Sequence, residues 1–441
     1  MTDDTPRPAG AGVYQAFWRW HFYAGLLVLP FLMLLALTGG IYLFHQDIDA
    51  ALRRDLERVP ARPVATTPAD WAVAAGSVAD GRLAQVIPPF QPGQAARLVV
   101  QGESRTTVYI DPADGAVLGV VRDGGFTNWI MKLHSLEHFG KVANLLVEIV
   151  AGWAIVLVAT GIYLWWPRGQ AGGVVTVRGR PGKRLFWRDL HAVTGVFAGA
   201  VIVFLAVTGM PWSQVWGDNV RQMVNANGWG RPKPPAASTW TPGPAAGAKG
   251  GLPWALQDGD LAAAGHDLSL NQAVAKALAS DLPRPFTLSI PAEPDKAWTV
   301  SHTANQVEAT RTLYLSPRDG RVVADVGFDR FGPGAKAIEW GITVHQGEQY
   351  GWINRYLMLA GCVAIWLLGI SAVTMWWKRR PKGRLAAPGR PANPGSYLGL
   401  AAVVAPLAIL YPLVGATMIA ALGLDLVLRR VIPAFGFRST P

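Results

Sequence analysis

The sequence predicts a membrane α-helical protein. Its core is four helices, made from a span–lobe–span unit used twice, with two small α+β lobes outside the bilayer and an extra hydrophobic segment at the C-terminus. Three observations predict this. First, 51% of the 441 residues are hydrophobic and 16% are charged, with mean hydropathy +0.22. That is too apolar for an ordinary soluble enzyme and suits a membrane protein with sizeable polar parts. Second, four apolar runs each exceed the ~20 residues a membrane-crossing helix needs. Third, a motif occurs twice: Leu133-His134-Ser135-Leu136-Glu137-His138-Phe139-Gly140 and Val344-His345-Gln346-Gly347-Glu348-Gln349-Tyr350-Gly351. His, Glu, an aromatic and Gly keep the same offsets. Trp129 and Trp340 stand at one shared offset before the lead His, and the pairs Trp165-Trp166 and Trp376-Trp377 close the following helices at one shared offset after it. Such common register marks an internal duplication, and a repeat fixes the architecture.

In chain order, residues 1–45 hold the N-terminus and first span. The start lacks a basic region, and its apolar run (17–44) is too long for a signal-peptide core, so it reads as an uncleaved anchor. Residues 46–132 form the first lobe. They carry a helix at 70–78, strands at 97–100, 107–110 and 116–118, and a turn at Asp111-Pro112-Ala113-Asp114-Gly115. The second span is 133–166, with its apolar run at 142–166. A cytoplasmic loop follows at 167–185, and the third span at 186–212. That span repeats the first: Phe17-Trp18-Arg19 then His21 matches Phe186-Trp187-Arg188 then His191. Thr38-Gly39 follows His21 at the same interval at which Thr208-Gly209 follows His191. Residues 213–344 form the second lobe, with a Pro/Gly-rich linker at 231–253, a helix at 269–279, strands at 286–290 and 298–300, and a turn at Tyr314–Gly320 matching the first lobe's. The fourth span is 345–377, a basic linker covers 378–396, and a hydrophobic segment covers 397–441. Its apolar part (397–428) is short for two spans, yet a single span would put Arg429 and Arg430 outside. Its topology stays open.

The net charge of +11 is unevenly spread. Arg168, Arg178, Arg180, Lys183, Arg184 and Arg188 fill one loop; Lys378, Arg379, Arg380, Lys382, Arg384 and Arg390 fill another. Basic clusters beside apolar spans mark the cytoplasmic side and argue against a nucleic-acid partner. The single cysteine, Cys362, excludes both a disulfide framework and a C-x-x-C-H site for covalent haem.

Six of the eight histidines lie in or at the ends of spans, where ionisable residues are expensive and point to function. His21 and His191 hold equivalent places near the cytoplasmic ends of spans one and three. His134 and His345 hold equivalent places at the outer ends of spans two and four. Both units start inside, so a parallel duplication predicts two facing His–His pairs, one near each membrane surface. A lone membrane histidine is ordinarily structural. Two matched pairs on neighbouring helices fit two non-covalent b haems, each with imidazole at both axial positions. The Thr-Gly steps at 38–39, 160–161 and 208–209 allow close approach of a ring or helix. Arg19, Arg188 and Lys132 are placed to pair with haem propionates.

His45 and His138 have no His counterpart; they read as alternative ligands or as part of a substrate site at the outer surface. His266 and His302 read as surface residues, the Trp pairs as interface anchors, and Glu148 as bonding to a neighbouring helix. Glu137 and Glu348 either orient an imidazole or are solvated. A four-ligand zinc site fits poorly, because the paired histidines lie at opposite depths and there is one cysteine. His21 and His134 differ in depth by about 25–35 Å at ~1.5 Å per helical residue. That is long for one electron hop and would need shortening by tilt, ring size or an intermediate aromatic. No strand–GxGxxG–helix unit occurs, so the electron donor is external: quinol in the bilayer or a cytoplasmic reductase.

The duplicated unit, the Leu-His-Ser-Leu…Gly run ending in Gly161-Ile162-Tyr163-Leu164-Trp165-Trp166-Pro167-Arg168, and the Tyr109-Ile110-Asp111-Pro112…Gly115 turn resemble the PepSY-associated transmembrane family over residues 14–380. That family includes bacterial inner-membrane siderophore reductases. The resemblance implies two non-covalent haems, PepSY-like periplasmic lobes and reduction of ferric siderophores. It carries the ligand pattern onto His21, His134, His191 and His345, and less directly onto His45 and His138. Ser316, where Asp111 stands in the first lobe, departs from the family turn. The resulting expectation is a dihaem b inner-membrane reductase. Electrons enter at the His21/His191 level and leave at the His134/His345 level, to an acceptor held between two outer lobes. Two alternatives stand beside it: a haem-free membrane scaffold or peptidase regulator, and a haem electron carrier for another periplasmic oxidoreductase.

Overall fold

The computed structural model describes residues 11–169, 172–235, 268–380, 388–389 and 391–431. The distal part of the Pro/Gly-rich linker, His266, Lys382, Arg384 and Arg390 lie outside the described residues. In chain order the elements are α1 (Ala11–Tyr42), α2 (His45–Leu52), α3 (Arg54–Glu57), α4 (Pro68–Gly76), β1 (Arg82–Ile87), β2 (Ala96–Gln101), β3 (Arg105–Ile110), β4 (Val117–Arg122), α5 (Gly125–His134), α6 (Lys141–Trp165), α7 (Arg184–Gly209), α8 (Trp216–Ala226), α9 (Leu270–Ala279), β5 (Thr287–Ser289), β6 (Trp298–His302), β7 (Arg311–Leu315), β8 (Val322–Gly327), α10 (Pro333–His345), α11 (Gly351–Arg379), α12 (Tyr397–Leu410) and α13 (Pro412–Val431). The chain divides into a helical unit (Met1–Leu43, Lys132–Arg221, Arg355–Pro441) and a sheet unit (Phe44–Met131, Gln222–Asn354).

Four described helices are long and apolar enough to cross a bilayer: Gly12–Tyr42, Lys141–Trp165, Arg184–Trp212 and Gly351–Arg379. They coincide with the four predicted spans. In the helical unit α6 packs against both α1 and α7. One buried cluster joins Ala36, Ala154, Ala198 and Ala364 with Ile202, Cys362 and Ile365. Small side chains at such contacts let helices approach closely where lipid gives no hydrophobic drive.

The C-terminal stretch, left open by the sequence, is two helices of 14 and 20 residues. Tyr411 and Pro412 break them apart, because proline cannot donate the backbone bond that a continuous helix needs. The pair lies on α1 and α6, where Val404, Tyr411, Val414 and Met418 are buried with Phe17, Val28, Val150 and Trp153. The Trp153 indole N–H donates to Thr417 Oγ1 at 3.0 Å.

In the sheet unit the two segments predicted as lobes are joined. Among the described residues, both segments contribute to one eight-stranded antiparallel sheet, in the order β4-β3-β2-β1-β5-β6-β7-β8. The join is the β1–β5 pairing, Gln85↔Ser289 and Val86↔Leu288. Left apart, β1 and β5 would each present an open edge of unpaired backbone groups, and pairing removes both.

One core lies on one face of the sheet. Trp71 and Ala75 of α4 and Ala273, Val274 and Ala277 of α9 pack there with Val86, Leu98, Val108, Leu288, Val300 and Leu313. Both helices start with capping boxes, Thr67 with Asp70 and Ser269 with Gln272, which satisfy otherwise orphaned N–H groups. The two predicted turns also match in detail. Asp111 Oδ1 accepts from the Ala113 N–H at 2.9 Å, and Ser316 Oγ accepts from the Arg318 N–H at 3.3 Å. Ser316 thus replaces Asp111 without losing the bond. β1, β7 and β8 are not among the strands that the sequence predicts. His302 is buried rather than on the surface, and its Nδ1–H donates to the Pro285 carbonyl at 2.7 Å.

Candidate functional site

Within the helical unit, α1 and α7 bring His21 and His191 together. Their rings are perpendicular, with centroids 6.2 Å apart. Each ring is tethered through Nδ1 to a different helix. His21 Nδ1 lies 2.9 Å from Thr160 Oγ1 on α6. His191 Nδ1 lies 3.1 Å from both the Leu368 carbonyl and Ser371 Oγ on α11. His134, at the end of α5, is held in the same way, with Nδ1 2.9 Å from Thr38 Oγ1 on α1.

The hydrogen-bond pattern fixes the tautomers. The Thr160 hydroxyl spends its only proton on the Val156 carbonyl at 2.7 Å, and Thr38 spends its own on Leu34 at 2.8 Å. Each oxygen can then only accept from the ring, so Nδ1 carries the proton. For His191 the Leu368 carbonyl can only accept, which gives the same result. All three imidazoles thus keep Nε2 as the nitrogen with a free lone pair. This is the arrangement in which a metal-binding histidine is oriented through its other nitrogen.

The two Thr-Gly steps do a second thing. A Cβ on Gly161 would stand 3.2 Å from His21 Cε1, and a Cβ on Gly39 would stand 3.2 Å from His134 Cε1. Hydroxyl and bare Cα together make a seat for the ring. The sequence displayed the Thr-Gly pairs but not this role, and it missed Ser371. The signal was available: Thr160 stands at the same offset from His134 as Ser371 does from His345.

The other expected residues are placed as follows. His345 ends α10 in the sheet unit, and His138 is exposed in a single 3-10 turn, Glu137–Phe139. His45 begins α2, with Nε2 3.5 Å from Glu348 Oε1; the same oxygen accepts from Gln46 Nε2 at 2.9 Å. Arg19 donates to the Pro388 carbonyl at 2.7 Å and lies over the Tyr23 ring. Arg188 pairs with the buried Asp189 carboxylate at 2.6 Å, which Arg178 also binds. Lys132 lies in the last turn of α5. Glu148 bonds to a neighbouring segment, as expected: its Oε2 accepts from the backbone N–H of Val215 and Trp216.

The residues at the His21/His191 level fit an iron porphyrin. Imidazoles sharing one metal from opposite sides, each at about 2 Å from nitrogen to metal, have centroids about 6 Å apart. The observed spacing, the two matched tautomers and the half-buried rings meet that requirement. Among the described residues no three His, Cys, Asp or Glu side chains gather as a metal site. A porphyrin iron needs only two ligands from protein, because the macrocycle supplies the others.

No curated protein matches the chain. The family described as the PepSY-associated TM region matches residues 18–379, from the first apolar helix to the end of the fourth; the chain is a multi-pass membrane protein and belongs to that family.

Proposed function

We propose that the chain is a dihaem b reductase of the bacterial inner membrane, passing electrons to a periplasmic acceptor, with ferric-siderophore iron as the substrate. The observation that carries this reading is the His21/His191 pair, 6.2 Å apart, with both rings tethered at Nδ1 and both Nε2 atoms left for a metal. When bound, haem supplies one-electron chemistry between ferric and ferrous iron.

The chain's own residues bind and orient. His21 and His191 would hold the haem iron at one level. Thr160 and the Leu368–Ser371 turn fix their ring orientation and protonation. His134, seated identically on Thr38, is a ligand at the other level, and the sequence register of the duplicated unit names His345 as its counterpart. Basic residues between α6 and α7 support a cytoplasmic side for that loop, and with it a periplasmic side for the strand-bearing segments. Reduction suits a siderophore substrate because ferrous iron is held less firmly by hard oxygen donors. The donor is quinol or a cytoplasmic reductase.

The test is pigment stoichiometry. Purified wild-type protein should show two b-type haems per chain in a dithionite difference spectrum, and His191→Ala should show one. Wild-type protein without a b-type spectrum sinks the reading and favours a haem-free scaffold; a His191→Ala variant that keeps both haems overturns the ligand assignment.

A further inference from the structure

We propose that Glu148 is a proton site, loaded from the outer end of α6 as an electron reaches the haem at the His134 level. This rests on the haem reading above. Glu148 lies two turns into α6 and is 1% exposed. Its Oε2 accepts from the N–H groups of Val215 and Trp216 at 3.2 and 3.1 Å, where α8 begins. Its Oε1 is enclosed, and among the described residues no hydrogen-bond partner reaches it. An enclosed oxygen is open to a ligand no larger than a proton. An ionised Oε1 would be a bare charge in an apolar interior, and a hydroxyl there costs far less. In the neutral acid Oε2 is the carbonyl oxygen, which keeps both N–H bonds, and Oε1 holds the proton. The duplication puts Leu359 at the matching place in α11, so the shared helix packing does not call for an acid.

Polar side chains lead away from Glu148 in one direction only. Asn144, one turn before it, is half-buried, and its Oδ1 accepts from Gln214 Nε2 at 2.8 Å. Gln214 Nε2 also donates, at 3.1 Å, to the carbonyl of Lys141, the exposed first residue of α6. One turn the other way, a Cβ on Gly152 would meet Val414 and Met210, both buried and apolar. A proton thus enters and leaves from the Lys141 end. The other titratable groups facing this region are Tyr411, whose ring lies 5.7 Å from that of Trp216, and the Asp218–Arg221 pair of α8 at 3.2 Å. The facing stretches of α1 (30–36) and α7 (202–209) carry none.

Depth ties the acid to the outer level. Thr160, which seats His21, lies about 18 Å further along α6. Thr38, which seats His134, lies about 25 Å from His21 along α1. Glu148 is therefore nearer in depth to the His134 seat, by about 7 Å against about 18 Å. An electron arriving in a low-dielectric interior is a new charge, and a proton nearby offsets it. Glu148 takes one proton at Oε1 as one electron arrives at the haem iron. It returns that proton as the electron leaves for the acceptor, so one O–H bond forms and breaks per electron passed.

The experiment uses purified full-length protein and the E148Q variant, whose amide oxygen can still accept from Val215 and Trp216. Reduced-minus-oxidised infrared spectra are recorded with and without carbon-13 glutamate. Wild type should show a protonated-carboxyl band that shifts with the label, and E148Q should lack it. The potential of the outer haem is then followed against pH in His191→Ala protein. It should fall with rising pH by up to about 59 mV per unit, a tenfold change in proton concentration converted for one electron. Adding E148Q should flatten that slope while leaving the outer haem bound. Wild type without the carboxyl band, or equal slopes with and without E148Q, overturns the proton site and leaves the haem reading intact. An E148Q protein that melts early yet keeps the slope overturns it in favour of a packing role. Wild type without a b-type spectrum overturns both.

Discussion

One hydroxyl does two jobs at each seat: Thr160 gives its proton to its own helix and its lone pair to the imidazole of another. The consequence is a single permitted tautomer, so the seat should tolerate loss of the methyl but not of the oxygen. Thr160→Val should lower haem retention at the His21/His191 level by about 10–100-fold, as loss of an orienting partner does. Thr160→Ser should stay near wild type, because Ser371 already serves His191 in that way. Competition for haem by apomyoglobin measures both. The interval from His21 to Thr38, repeated from His191 to Thr208, was plain in the sequence. What could not be read is that the Thr-Gly step of one helix seats the histidine of another: Thr38 serves His134, far along the chain, and not His21. Local spacing records a repeat; it does not record which helices face each other.

Among elements, the four spans were legible because a bilayer demands a long apolar run, and nothing else in a chain of this composition supplies one. The α12–α13 hairpin was not, since its two helices are short and Pro406 and Pro412 blur the period. It is secured by packing and by one polar contact, Trp153 to Thr417. Thr417→Val keeps the shape and removes that acceptor from a buried indole N–H. It should destabilise the helical unit by about 1 kcal/mol, seen as a lower melting temperature in detergent with unchanged helical content. β1 escaped notice for a physical reason. Its sequence, Arg-Leu-Ala-Gln-Val-Ile, has no clean alternation, and only Val86 is fully buried. It is a strand because β2 and β5 flank it, not because its own residues insist on it.

At the scale of the molecule, pH acts on the sheet unit through its ion pairs. In the sheet unit Arg311 binds Asp325 at 2.6 Å and Asp281 at 3.2 Å. Its hydrogen bonds hold the Asp325 carboxyl below the usual range. A depressed carboxylate stabilises in full above its unfolded value of about 3.9, and that support fades as pH falls through the folded value. Arg311→Gln should therefore cost about 1 kcal/mol or less at pH 7, since the ions are partly exposed. The deficit should begin to narrow below about pH 3.9 and close once the pH falls past the depressed value of Asp325. Chemical denaturation at the two pH values, followed by sheet circular dichroism, checks this. The seam between β1 and β5 has a consequence for biosynthesis. Val86 and Leu288 are roughly 200 positions apart in the chain, so at 5–20 residues per second the ribosome needs about 10–40 s to deliver the second after the first. Throughout that interval the emerging protein displays an unfinished β edge, and a chaperone outside the bilayer would have that long to guard it.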